Sequence, residues 1–138
     1  MRYLGLDLGT KTLGLSISDK TGLIATNYGV LRHDNDYDLL IVLLKDIIIK
    51  EGIDALVLGF PKNMDNSIGP RAQIALEFKE KLEKEFNIPV YMQDERLTTV
   101  QAENMLISND TSRKKRKEVI DSIAAVIILE SFLDGKGR

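Results

Sequence analysis

The sequence predicts an α/β fold: one mixed five-stranded sheet, strand order 3-2-1-4-5, the second strand antiparallel to the first, with helices on its faces. Three observations carry this. The chain opens with three segments of alternating polarity joined by short turns, so they are antiparallel neighbours. Two short apolar segments then interleave with segments of helical period, which requires right-handed crossovers and parallel strands. The length, 138 residues, fits a single domain spanning 1–138 with a sizeable core.

The elements follow in order. Tyr3–Asp7 is the first strand: Leu4, Leu6 and Leu8 share one face, Gly5, Asp7 and Gly9 the other. Leu13–Ser18 alternates likewise, and Asp19-Lys20-Thr21-Gly22 is a turn. Leu23–Arg32 is a third, less regular strand. Asp36 or Asp38 caps a helix that runs to about Glu51 and stops at Gly52. Its Ile- and Leu-rich stripe is core. Ile53–Leu58 is apolar throughout, as a strand covered on both faces should be. Pro70 opens a helix with Ala75, Phe78, Leu82 and Phe86 on one face. Pro89–Gln93 is the fifth strand. Thr98 or Thr99 caps a helix to about Ile107, residues 108–117 read as a polar linker, and a last helix runs from about Glu118 to Leu133, stopping at Gly135.

Composition narrows the chemistry. With no cysteine, there is no thiol nucleophile and no Cys-ligated metal. One histidine, His33, excludes a multi-His centre and leaves no hydrolytic triad; it reads as a surface loop residue. The N-terminus reaches Asp7 without an apolar signal segment. Leu39–Leu44 and Ile123–Leu129, the longest apolar runs, fall short of the roughly 20 residues that cross a bilayer. The expected setting is cytoplasmic, with no membrane partner. The net charge of −2 gives no basic excess for nucleic acid. That average hides an asymmetry: residues 1–107 hold 12 basic and 16 acidic side chains, residues 108–138 hold 7 and 5.

Three carboxylates stand out. Asp7 interrupts a strand of leucines and glycines; it is either a turn residue bonding the following backbone or a metal ligand. Glu95, in Asp94-Glu95-Arg96, follows a parallel strand, where such sheets bind ligands; the alternative is a solvated charge trio. Asp121 shares a helix face with Ala124, Ala125 and Ile128; the alternative is a first-turn residue favoured by the helix dipole. The topology allows all three to converge at one sheet edge. Oxygen donors without His or Cys suit Mg²⁺ or Mn²⁺, and two such ions about 3.5–4 Å apart would clamp both oxygens of a phosphodiester displacement. Lys11 after the first strand, Lys62 in the loop after Gly59-Phe60-Pro61, Arg71 at the start of a helix and Arg96 beside Glu95 are candidates for phosphate contact. The run Arg113-Lys114-Lys115-Arg116-Lys117 is a further nucleic-acid candidate, or else a solvated linker.

Four segments carry a resemblance. They are Gly5-Leu6-Asp7-Leu8-Gly9-Thr10-Lys11 with Gly14 and Ser18-Asp19; Gly59-Phe60-Pro61 through Gly69-Pro70-Arg71; Asp94-Glu95-Arg96-Leu97-Thr98-Thr99; and Lys117 with Ile120-Asp121-Ser122-Ile123-Ala124-Ala125. The chain resembles, over nearly its whole length, the YqgF family (also called RuvX), pre-16S ribosomal RNA nucleases related to RuvC-type Holliday junction resolvases. The resemblance implies an RNase H-like fold, metal-dependent phosphodiester cleavage, and a catalytic, metal-holding triad at Asp7, Glu95 and Asp121. It implies maturation of the 5′ end of the small-subunit rRNA. Two positions depart from the family pattern: Thr12, where an arginine is usual, and Asn66, where a glycine is common.

Other functions compete. Cleavage of a four-way DNA junction would require a two-fold dimer; for RNA, a monomer or a homodimer serves. The first motif also resembles the phosphate loop of actin-like kinases, but those need two such domains. A catalytically silent RNA-binding assembly factor on the same fold is the third reading.

Overall fold

A computed structural model of the chain describes residues 1–61, 68–94 and 113–136; in the last stretch, side chains are described for 123–135. The strands are β1 (Tyr3–Leu8), β2 (Thr12–Ser18), β3 (Ala25–Arg32), β4 (Ala55–Phe60) and β5 (Val90–Asp94); the helices are α1 (Tyr37–Glu51), α2 (Pro70–Glu85) and α3 (Arg113–Lys136). The sheet order is β3-β2-β1-β4-β5, as the sequence predicts. β1 pairs antiparallel with β2, and parallel with β4, Leu6 opposite Leu58; β4 and β5 are parallel, Phe60 opposite Asp94. The carboxyl ends of β1, β4 and β5 therefore finish at one edge. The helix predicted from Thr98 or Thr99 lies outside the described residues.

Strand parity divides the interior into two unequal cores. Leu4, Leu6, Leu13, Leu15, Leu56 and Leu58 pack on Leu40 and Leu44 of α1 and on Phe78 and Leu82 of α2. Each such side chain stabilises by about 1.5–3 kcal/mol on burial, so this face holds most of the stability. The opposite face is built of smaller residues. Tyr3, Ala55 and Val57 pack there on Ile128, Leu129 and Leu133 of α3.

The structure settles the cap of α1 and moves the starts of β3 and α3. Of the two expected caps of α1, Asp36 serves: its carboxylate accepts the Leu39 N–H at 3.0 Å. The stripe of α1 is core: Leu40 and Leu44 are buried and Ile41, Ile47 and Ile48 pack against the same cluster, while Val42 and Ile49 on the other face are exposed. β3 starts at Ala25 rather than Leu23, because Leu23 and Ile24 are drawn into the preceding turn. There the Asp19 carboxylate accepts both of their backbone N–H groups at 2.9 Å, and the Thr21 hydroxyl. α3 begins at Arg113, five residues before Glu118. The basic run is the helix's first turn and a half, not a linker, in line with the good helix propensity of Lys and Arg.

The Asp19 turn carries a pH prediction. The Thr21 hydroxyl first, then the Ile24 and Leu23 N–H groups, hold the Asp19 carboxyl well below the usual carboxylate range. A depressed folded-state pKa gives stability that is present above the unfolded value of about 3.9 and is lost as pH falls below it. Asp19→Ala is expected to lower the urea midpoint at pH 7. The gap to wild type should narrow below about pH 4, read from denaturation curves at pH 7 and pH 3.

Candidate functional site

β1 carries Tyr3, Gly5 and Asp7 on the small-residue face, beneath α3. The first two fix how the helix runs. Tyr3 meets Phe132 edge-on, ring centroids 5.5 Å apart. Gly5 lies lower down the helix: a Cβ there would stand 3.0 Å from Leu129 Cβ and 3.1 Å from the Ala125 carbonyl oxygen. Later helix residues thus sit over earlier strand residues, and α3 is antiparallel to β1. Stepping one turn back from Ala125, about 5.4 Å, reaches position 121. Stepping two residues on from Gly5, about 6.6 Å, reaches Asp7. The helix register thus sets position 121 at the Asp7 end of β1.

The longer α3 also changes the alternatives for Asp121. The expectation of a first-turn position fails, because eight helical residues precede it. A dipole effect confined to the first turn does not reach it.

A buried hydrogen bond ties α3 to the sheet. Ser16 on β2, fully buried, donates from Oγ to the Ala125 carbonyl at 2.7 Å. Ser16 stands opposite Gly5 across the β1–β2 ladder. The pair acts as a seat, in which the absent glycine side chain leaves the space that the serine hydroxyl and the helix backbone occupy. Sequence reasoning did not single out Ser16. Its shared parity with Gly14 and Ser18, on a strand whose other face is Leu13, Leu15 and Ile17, was the available signal.

Asp7 is half-buried and stands opposite Gly14. Beyond it the chain turns at Gly9–Lys11, closed by the Gly9 N–H to the Thr12 carbonyl at 2.8 Å. Lys11 is exposed on this turn. Arg71, at the start of α2, donates from Nη2 to the Leu8 carbonyl. That contact brings the α2 N-terminus to the edge where β1 ends and commits part of the guanidinium to the backbone. Glu95 is the residue that follows β5 in the sequence. Tyr91 stacks on Phe132 of α3, centroids 5.2 Å apart.

Glu95, Lys62 and Arg96 lie outside the described residues. The backbone at Arg113, Lys114, Lys117 and Asp121 is placed on α3, and their side chains are not described. Among the described residues no three His, Cys, Asp or Glu side chains group as a metal site; of the three expected ligands, only Asp7 has a described side chain. Among the described residues, too, no helix is long and apolar enough to cross a membrane.

His33 corrects an expectation. It is not a surface loop residue but is 2% exposed. Nε2 lies 3.0 Å from the Gly9 carbonyl oxygen, Nδ1 accepts the Asn35 N–H at 2.8 Å, and the ring stacks on Tyr37. One of its partners, the Gly9 carbonyl, lies 24 residues away on the turn after β1, which is why local polarity misplaced it.

Comparison with known proteins gives three consistent findings. A family model described as "RuvX: Holliday junction resolvase" matches residues 1–135. A Geobacillus protein named "Putative pre-16S rRNA nuclease" is 50% identical over 137 residues, covering 99% of both chains. A Bacillus subtilis protein of the same name is 49% identical over 135 residues, covering 97% of this chain and 98% of its own. Among solved structures, Thermus thermophilus RuvC in complex with a Holliday junction substrate aligns over 99% of this chain and 96% of that one. Its TM-score is 0.58 at 14% identity, a likeness of fold.

Proposed function

Because the chain belongs to the RuvX family, we propose that residues 1–138 form one RNase H-like nuclease domain, a divalent-metal-dependent endonuclease acting in 5′-end processing of pre-16S rRNA. The observation that carries this reading is the end-to-end match, at about half identity, to proteins named for that substrate. The setting that goes with it is the cytoplasm, where rRNA precursors are matured.

The residues present fit a magnesium or manganese site. Asp7 is a hard oxygen donor, and the chain has no thiol. Its one imidazole is excluded as a ligand, since both ring nitrogens of His33 are bonded to backbone groups. The available donor set is therefore oxygen only, which suits these cations over zinc. Asp7, Glu95 and Asp121 would hold one or two ions. Such ions supply Lewis acidity toward the attacking water and the charge that develops on the phosphate.

The chain's own residues bind and orient. Asp7 presents its carboxylate from the central strand, held at a fixed depth by β2 on one side and β4 on the other. Lys11 projects from the turn beyond it and is placed to take a phosphate oxygen. Arg71 fixes the Leu8 carbonyl at the start of α2, whose opening N–H groups would favour an anion. Lys62, Arg96, Arg113, Lys114 and Lys117 are the further candidates for phosphate contact. With no side-chain nucleophile assigned, water is the attacking group and the acidic residues govern its activation.

The test is cleavage of a precursor fragment containing the 5′ end of 16S rRNA, beside a four-way DNA junction, at one salt concentration. The expected result is Mg²⁺- or Mn²⁺-dependent cut of the RNA, abolished by a chelator and restored by added metal. Preferred cleavage of the junction, with a dimer in solution, would move the assignment to DNA. Binding of RNA without cleavage under either metal would leave a silent assembly factor.

A further inference from the structure

We propose that His33 is a positioning residue for this nuclease site, acting through the Gly9 carbonyl to fix the turn that follows Asp7; the inference rests on the reading of Asp7 as a metal ligand. The turn is held from outside at three carbonyl oxygens within four residues. Arg71 takes Leu8, the His33 ring takes Gly9, and the His33 and Asp34 N–H groups take Lys11 at 2.8 and 3.3 Å. The clamp sits on a strained support: Asp34 and Asn35 both have left-handed backbones, φ 46° and 70°. Such conformations persist where the surroundings over-determine them.

The ring's proton is placed by its neighbours. A backbone N–H only donates, so Nδ1 is the acceptor for Asn35 and Nε2 carries the hydrogen that goes to Gly9. The ring is kept in plane by Tyr37, at 5.2 Å and 29°. Tyr37 in turn packs on Phe78 of α2, centroids 6.1 Å apart. One chain of contacts therefore runs from the large core to the peptide two residues past Asp7. The backbone clamp on Lys11 needs no particular side chain, whereas the hold on Gly9 depends on the ring. A histidine that only satisfied its own polar atoms would give stability alone. One that aims the turn gives turnover and metal affinity beyond stability.

Two near-isosteres separate the ring's roles. Glutamine can place its amide nitrogen where Nε2 stands and keep the bond to Gly9. Asparagine can place its oxygen where Nδ1 stands and keep the bond to Asn35, but it loses Gly9. We would measure, for wild type, His33→Gln and His33→Asn, the Tm, kcat and KM on the precursor rRNA fragment, and Mn²⁺ affinity by water-proton relaxation. Expected are similar Tm values for the two variants and KM within about twofold of wild type. His33→Asn should lose about 10- to 100-fold in kcat and about tenfold in Mn²⁺ affinity, with His33→Gln within about threefold of wild type in both. Equal kcat and Mn²⁺ affinity for the two variants overturns the proposal, as does a loss that follows only the unfolded fraction. If wild type binds Mn²⁺ but does not cleave, the nuclease reading fails and the Mn²⁺ comparison still decides the role of His33. No Mn²⁺ binding by wild type overturns both.

Discussion

Asp7→Asn is expected to lower single-turnover cleavage of the precursor rRNA by at least about 10³-fold while leaving the fold in place. Asparagine has the shape of aspartate, so β1, its ladder partner Gly14 and the cover of α3 need not move. What changes is charge: one carboxylate oxygen becomes an NH₂ that points hydrogens at a cation. Losing the stabilisation a divalent ion gives the transition state forfeits several kcal/mol, and each 1.36 kcal/mol is tenfold in rate. Circular dichroism melting should place the variant within a few degrees of wild type. Cleavage equal to wild type in a folded variant would remove Asp7 from the metal site.

Gly5→Ala is expected to destabilise the protein strongly for a single added methyl. Its Cβ would overlap the Ser16 hydroxyl and press on the Leu129 Cβ at 3.0 Å and the Ala125 carbonyl at 3.1 Å. Two of these neighbours belong to α3, so relief comes by lifting the helix or by turning the serine away from its acceptor. Overpacking of this kind costs about 1–3 kcal/mol, and Gly5→Val, with two more methyls, exceeds that. Ser16→Ala alone removes one buried hydrogen bond, about 1 kcal/mol. The double variant Gly5→Ala/Ser16→Ala should lose less than the sum, because the hydroxyl that clashes is gone. Urea denaturation of the four proteins measures the coupling. Strict additivity would show that the Gly5–Ser16 seat does not exist. A lifted α3 also moves position 121 away from Asp7, so cleavage by Gly5→Ala should fall further than its unfolded fraction accounts for.

These residues also show what a sequence can and cannot disclose. The sheet was readable because Leu4, Leu6 and Leu8, and then Leu13, Leu15 and Ile17, obey a two-residue period that only a strand satisfies. Strand order followed from handedness and connection length. Asp7 was visible as a charge in an apolar strand, but its partners were not, because contact with α3 depends on how the helix lies across the sheet. Ser16 and His33 were hidden for the same reason. Ser16 bonds a carbonyl 109 residues away and His33 one 24 residues away, beyond any local pattern. The start of α3 was misplaced because a run of five cations reads equally as a solvated linker or as a strong helix-former. Only the neighbours decide.

The Ser16–Ala125 bond has a kinetic consequence. The β1–β2–β3 meander joins near neighbours in sequence, whereas this bond closes a span of 109 residues, and contacts of such separation form late because the closing entropy comes before their reward. A contact absent from the folding transition state leaves the rate of folding alone and governs the rate of unfolding. Ser16→Ala is therefore expected to speed unfolding while leaving the refolding rate unchanged, so that the hydroxyl governs how long α3 stays seated over Asp7 and not how quickly the chain reaches that arrangement.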